Sequence, residues 1–247
     1  MKLTCDIHTH TIASAHAYGT IREMAEAASR KGIALLGMTE HGPETPGTCD
    51  PFYFKALDSI PRVLYGVHLL FGCELNVTNT GKIGLKNNIM KKLDYAVAGL
   101  HTCCYKDAGI EQNTDNVIAF MKHPKVFFIS HPDDSRTPLN YERLAEAARD
   151  NHVALEVNCS SFAKASRVEV RENYLKMLDI CEKLSVPIIV SSDAHDPSRV
   201  ARFKPALQLL KELQFPEELI LTRDEQAVLD FIGISREIYD EDPEAED

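Results

Sequence analysis

Near the amino terminus stands His8-Thr9-His10, and near the other end Asp193-Ala194-His195. In extended backbone, residues i and i+2 point to the same face, so each pair can close on one metal ion. Between them lie His16, His41, Glu74, His101 and His131. Seven of the ten histidines thus belong to one series, joined by two carboxylates. A carboxylate such as Glu74 can bridge two ions. Imidazole and carboxylate without thiolate suit zinc, iron or manganese. The chemistry expected is hydrolysis at several metal ions.

The elements that must position these groups alternate along the chain. Apolar, β-rich runs fall at Lys2–Ile7, Ile33–Met38, His68–Cys73, Tyr95–Leu100, Val126–Ser130, Val153–Val157 and Pro187–Val190. Helical spacing of apolar residues fills Thr114–Lys122, Asn140–Asn151, Arg171–Leu184 and Lys204–Leu213. Thr20 with Glu23 forms a capping box for a helix that Gly32 ends, and Thr222 with Glu225 is expected to open another, Asp224–Ile232. Seven short apolar strands alternating with helices predict a parallel sheet, closed or nearly closed into a barrel, with an open doubly wound sheet as the alternative. In such folds the active site lies at the carboxyl ends of the strands. His8 and His10 follow the first strand, with His16 in the loop beyond. His41 follows the second, Glu74 the third, His101 the fourth, His131 the fifth, and Asp193 with His195 the seventh. The sixth ends at Asn158-Cys159-Ser160-Ser161 without a ligand. His68, His123 and His152 stand elsewhere in the pattern and receive no role.

The chain has 247 residues, 44% of them hydrophobic, enough for one barrel with a full core. A formal net charge of −10 repels long nucleic acid, and no apolar run reaches the length of a membrane span. The seven cysteines show no C-x-x-C spacing, and Cys5, Cys73 and Cys159 sit in strand-like runs, which points to a reducing cytoplasm. One domain is expected over residues 1–236, followed by an acidic, frayed tail at 237–247.

His8-Thr9-His10, His16, Thr39-Glu40-His41, Glu74, His101, Ser130-His131-Pro132 and Ser192-Asp193-Ala194-His195 occur in an order that resembles the polymerase and histidinol phosphatase (PHP) domain superfamily. Ala13-Ser14-Ala15-His16-Ala17-Tyr18 and Asn158-Cys159-Ser160-Ser161-Phe162 are similar to its small stand-alone phosphatases. The resemblance covers roughly Met1 to Ile232. It implies a distorted (β/α)7 barrel with outer helices and three divalent transition-metal ions. The first ion would take His8, His10, Glu74 and Asp193. The second would share Glu74 and add His101 and His131. The third would take His16, His41 and His195. Glu40, where the family more often has Asp, is expected to orient an imidazole.

The activity expected is hydrolysis of a small phosphomonoester by a hydroxide held between two ions. Asp193 and His195 are candidates for proton transfer to the leaving oxygen. Arg167 is the preferred phosphate contact, with Lys164, Arg136 and Arg199 as further candidates. The alternatives are a phosphodiesterase or nuclease on short oligonucleotides, a histidinol-phosphate phosphatase, and a metal-binding module without catalysis. Relatives of this kind can form homo-oligomers, so self-association is an expectation drawn from the resemblance.

Overall fold

The computed structural model describes residues 1–240. Its order is β1 (Cys5–Thr9), α1 (Ile21–Arg30), β2 (Leu35–His41), β3 (Val63–Leu64), β4 (Val67–Asn76), α2 (Asn87–Met90), β5 (Tyr95–Gly99), α3 (Ile110–Met121), β6 (Val126–Ile129), α4 (Tyr141–Asp150), β7 (Ala154–Asn158), α5 (Val170–Leu184), β8 (Ile188–Ser191), α6 (Lys204–Leu213) and α7 (Glu225–Ile232). The seven expected strands are present, and each pairs in parallel with the next, β1-β2-β4-β5-β6-β7-β8. The small β3 was not foreseen. It folds back antiparallel onto the start of β4 through Tyr65-Gly66, both with positive φ.

The ring closes differently at its two ends. At the carboxyl end of the strands, Thr9 bridges Ala194, and His10 N donates to Ala194 O at 2.9 Å. At the opposite end, the segment Leu221–Arg223 and its N-cap Ile220 wedge between β1 and β8: Thr4 N donates to Thr222 O, and Ile188 bridges Ile220. The result is the distorted (β/α)7 barrel. Thr222 therefore does not cap α7 as expected. Its Oγ1 accepts from Val190 N inside this wedge, while Asp224 caps the helix by accepting from Ala227 N.

Two apolar layers hold the barrel. The larger one lies between the sheet and helices such as α1, α4 and α5. The smaller one fills the barrel itself with Cys5, Ile7, Leu35, Leu70, Tyr95, Val97, Phe128, Ala154 and Ile189, closed from below by Val228, Leu229 and Ile232 of α7. Tyr239 joins this plug at 3% exposure and stacks on His68. The expected tail thus starts too early, since residues 237–239 complete a 3-10 turn against the barrel; residues 241–247 lie outside the described residues. No described helix is long and apolar enough to cross a membrane.

Expected boundaries shift where polar residues are buried. β4 runs to Asn76, so Glu74 sits on the strand itself. α3 begins at Ile110 because Asn113 and Thr114 are satisfied locally: the Thr114 hydroxyl donates to Ile110 O, and Asn113 meets Tyr105 Oη at 2.9 Å. The capping box at Thr20 and Glu23 forms as read, with Glu23 Oε2 accepting from Thr20 N at 2.8 Å.

Candidate metal centre

Plain alternation cannot bring the two amino-terminal histidines inward. Cys5 and Ile7 face the barrel interior, so His8 and His10 would face out with Asp6. The β1–β2 register slips between Asp6 and Thr9, and this bulge turns both imidazoles into the mouth. The Tyr95 hydroxyl donates to Ile7 O at 2.6 Å at this irregularity. Gly37 leaves it room: a Cβ there would lie 2.0 Å from Tyr95 Oη.

Glu74 occupies the centre. Its Oε2 faces His41 Nδ1 at 3.0 Å, His8 Nε2 at 3.3 Å and His10 Nε2 at 3.5 Å. Its Oε1 faces His131 Nε2 at 3.1 Å and His101 Nε2 at 3.3 Å, and accepts from Ser130 Oγ at 2.6 Å. Each oxygen thus serves a separate group of imidazoles. Gly99 makes this crowding possible, because a Cβ there would stand 2.2 Å from Ser130 Oγ and 3.1 Å from Glu74 Oε1.

Asp193 completes the opposite wall. Its Oδ1 lies 3.3 Å from His10 Nε2 and from His195 Nδ1, and 3.9 Å from His8 Nε2. His195 Nε2 meets His16 Nε2 at 3.2 Å, and His16 stacks on His41. All nine expected groups therefore converge. His131 and Asp193 adopt left-handed φ values of 32° and 49°, a costly backbone for residues with side chains that is commonest at functional sites.

The donor set fits metal ions. His8 Nε2, His10 Nε2 and both nitrogens of His41 are buried without a hydrogen-bond partner. Nitrogens facing one another at 3.2 Å, as in the pairs His16–His195 and His101–His131, need a proton or a cation between their lone pairs. Burial, reinforced by His41 and His195, holds His10 well below the ordinary imidazole range. Burial with Arg167 brings His131 down to about 4. Burial alone would raise Glu74, but His101 and His8 outweigh it and hold the carboxyl well below its usual range. His10 and His131 are thus neutral and Glu74 ionised, the states that bind metals, whereas His8, although burial lowers it, is held above the ordinary imidazole range by Glu156 and Glu74. Three closely spaced donor groups emerge: His8, His10 and Asp193; His41, Glu74 and His101; and His10, His41 and His195. His41 is therefore placed nearer Glu74 than the expected grouping with His16 and His195 implies.

Behind the donors lies a layer the sequence reading missed. Glu156 of β7 accepts from His8 Nδ1 and from His131 N, both at 2.6 Å, and from Ser191 Oγ. The strand without a ligand thus supplies the carboxylate that aims His8 Nε2 inward. The available signal was an acidic residue in the apolar run Val153–Val157. Among the described residues Glu40, expected to orient an imidazole, makes no direct hydrogen bond to one. It accepts from Thr11 Oγ1 and Ser14 Oγ, both at 2.6 Å, and Ser14 Oγ lies 3.3 Å from His10 Nδ1. Its influence on His10 passes through that serine.

The donors open into a cavity of about 110 Å³ that Arg167 and Lys164 also line. Arg167 is 9% exposed, held by Asp133 at 3.4 Å, Asp134 at 3.5 Å and the Ser161 hydroxyl. Lys164 Nζ reaches Asp193 Oδ2 at 3.0 Å. Arg136 is turned onto Asp134 in two hydrogen bonds, at 2.7 and 2.9 Å, and does not line this cavity. Arg199 lines a larger groove alongside. His68, His123 and His152 bind Glu225, Lys125 N and Phe231 O respectively, away from the cluster.

The PHP domain model matches residues 6–244. The chain belongs to the PHP domain family. A probable phosphatase of Clostridium novyi is 37% identical over 241 residues, covering 97% of this chain and 98% of that protein. One from Clostridium botulinum is 39% identical over 233 residues, covering 94% and 95%. Among solved structures, the histidinol phosphate phosphatase of Lactococcus lactis, complexed with zinc, L-histidinol and phosphate, superposes with a TM-score of 0.64. It is 17% identical, and the match covers 86% of this chain and 94% of that one, so the likeness is one of fold.

Proposed function

We propose that this PHP domain protein is a metal-dependent phosphatase acting on small phosphomonoesters. The observation that carries the reading is Glu74, whose Oε2 faces unpartnered nitrogens of His8, His10 and His41 while its Oε1 faces Nε2 of His101 and His131, in a cavity also lined by Arg167 and Lys164. The naming of full-length relatives as probable phosphatases supports it. His8, His10, Glu74 and Asp193 would hold one ion, Glu74 with His101 and His131 a second, and His16, His41 and His195 a third. Zinc, iron and manganese all suit the donors. When bound, such ions neutralise phosphate oxygens and acidify water into a nucleophile.

The chain's own groups do the rest. Glu156 fixes His8, and Ser130 fixes Glu74, so the donors converge before substrate arrives. The Arg167 guanidinium is pinned by Asp133 and Asp134, which makes it a fixed positive wall for a phosphate. Lys164, more exposed, can turn from Asp193 to a second phosphate oxygen. His16 is exposed and His195 half-buried, so a proton for the leaving oxygen enters from their side.

The test is elemental analysis paired with a p-nitrophenyl phosphate assay on the wild type, His10→Ala and Asp193→Ala. Metal and activity should be lost together. A purified protein without transition metal, hydrolysing the ester in excess chelator, would end this reading.

A further inference from the structure

Beside the metal cavity runs a groove of about 860 Å³, sharing His16, Asp193, His195 and Lys164 with it. Its outer wall is Arg199, Ala201, Arg202, Phe203 and Lys204, three cations within six consecutive residues that include no acid, on a chain of net charge −10. Asp196, three residues earlier, is committed to Ser198 N at 2.9 Å. Arg202 Nε donates to a backbone carbonyl, Ser198 O, and among the described residues no ion pair holds Arg199, Arg202 or Lys204. The amino end of α6 forms part of the same wall. Phe203, its N-cap, with Lys204 and Pro205 of its first turn, lines the groove, so the positive end of that helix lies beside the side-chain cations.

Arg167 and Lys164 already supply positive charge at the reacting phosphate. The second cluster lies outside that cavity, because Arg199, Arg202 and Lys204 line only the groove. A cationic wall with no ion pair of its own among the described residues, offset by the nearby Asp196 carboxylate, is suited to an anion brought by the ligand. Its multiple charges match a dianionic phosphate better than a single carboxylate. We infer that the groove binds a second phosphate on the substrate, so that the preferred substrates are small bisphosphorylated molecules whose apolar or sugar portion crosses Ala163 and Pro205. This rests on the phosphatase reading above and adds the substrate class.

The experiment compares kcat/KM for p-nitrophenyl phosphate, fructose monophosphate and fructose bisphosphate on the metal-loaded wild type and on Arg202→Ala/Lys204→Ala. Both replaced side chains are exposed, so the fold should survive. The wild type should favour the bisphosphate by about tenfold or more, mainly through a lower KM, as expected for a contact made equally in ground and transition states. In the double variant that ratio should collapse toward one, and Arg202→Lys should restore part of it. Hydrolysis of monophosphates with no preference for the bisphosphate, or a preference indifferent to the double substitution, would overturn the inference and leave the phosphatase reading intact. Hydrolysis of none of the three would remove both.

Discussion

At the scale of single residues, the centre depends as much on groups that touch no substrate as on the donors. Glu156→Gln tests this. The amide keeps the size of the carboxylate but loses the charge that draws the His8 Nδ1 proton. Loss of such an orienting carboxylate typically costs 10–100-fold in metal affinity, so a fall of about that size is expected in titration against a competing chelator. An unchanged affinity would reduce Glu156 to packing. Gly99→Ala should be harsher, because its methyl would collide with Ser130 Oγ, and both metal content and melting temperature should drop. The convergence of the nine groups was legible in the sequence, since imidazoles and carboxylates recurring at strand ends of one barrel must meet at its rim. Glu156 was not: one acid in an apolar strand says nothing of which way it faces until the barrel is assembled. Glu40 was half legible, in that its neighbourhood was right but the intervening Ser14 depends on a loop conformation.

At the scale of elements, the bulge in β1 decides whether H-x-H is a metal grip or a pair of outward side chains. The sequence shows seven strands by their apolar runs, but a register slip between Asp6 and Thr9 has no compositional mark. Its support comes from residues 37 and 95, distant in sequence. Tyr95→Phe removes the hydroxyl that donates to the buried Ile7 O. A loss of about 1–3 kcal/mol is expected by urea denaturation, accompanied by reduced metal content as His8 and His10 lose their aim. A stability loss with full metal retention would show that the bulge stands without this bond. The wedge at Leu221–Arg223 was equally invisible, and it drew Thr222 away from the cap its spacing suggested.

At the scale of the whole molecule, the barrel is closed at both ends by different chemistry. Below, α7 and Tyr239 seal the interior with apolar contact. Above, donors arrive from β1, β2 and β4 and from the loops after β1, β5, β6 and β8, so bound ions would tie the strands across the mouth. The two seals share no residue and should contribute independently. Leu229→Ala in the plug should cost about 2–5 kcal/mol whether or not metal is present. Stripping metal should lower stability by mass action, by about 2.7 kcal/mol at a free metal concentration 100 times Kd, or roughly 5–11 °C for a chain of this length. Calorimetric melts of wild type and Leu229→Ala, each with and without chelator, measure both. Equal chelator shifts in the two proteins are expected. A shift that vanishes in Leu229→Ala would mean that the metal mouth and the apolar plug form one cooperative unit, and that the site is only as rigid as the far end of the barrel.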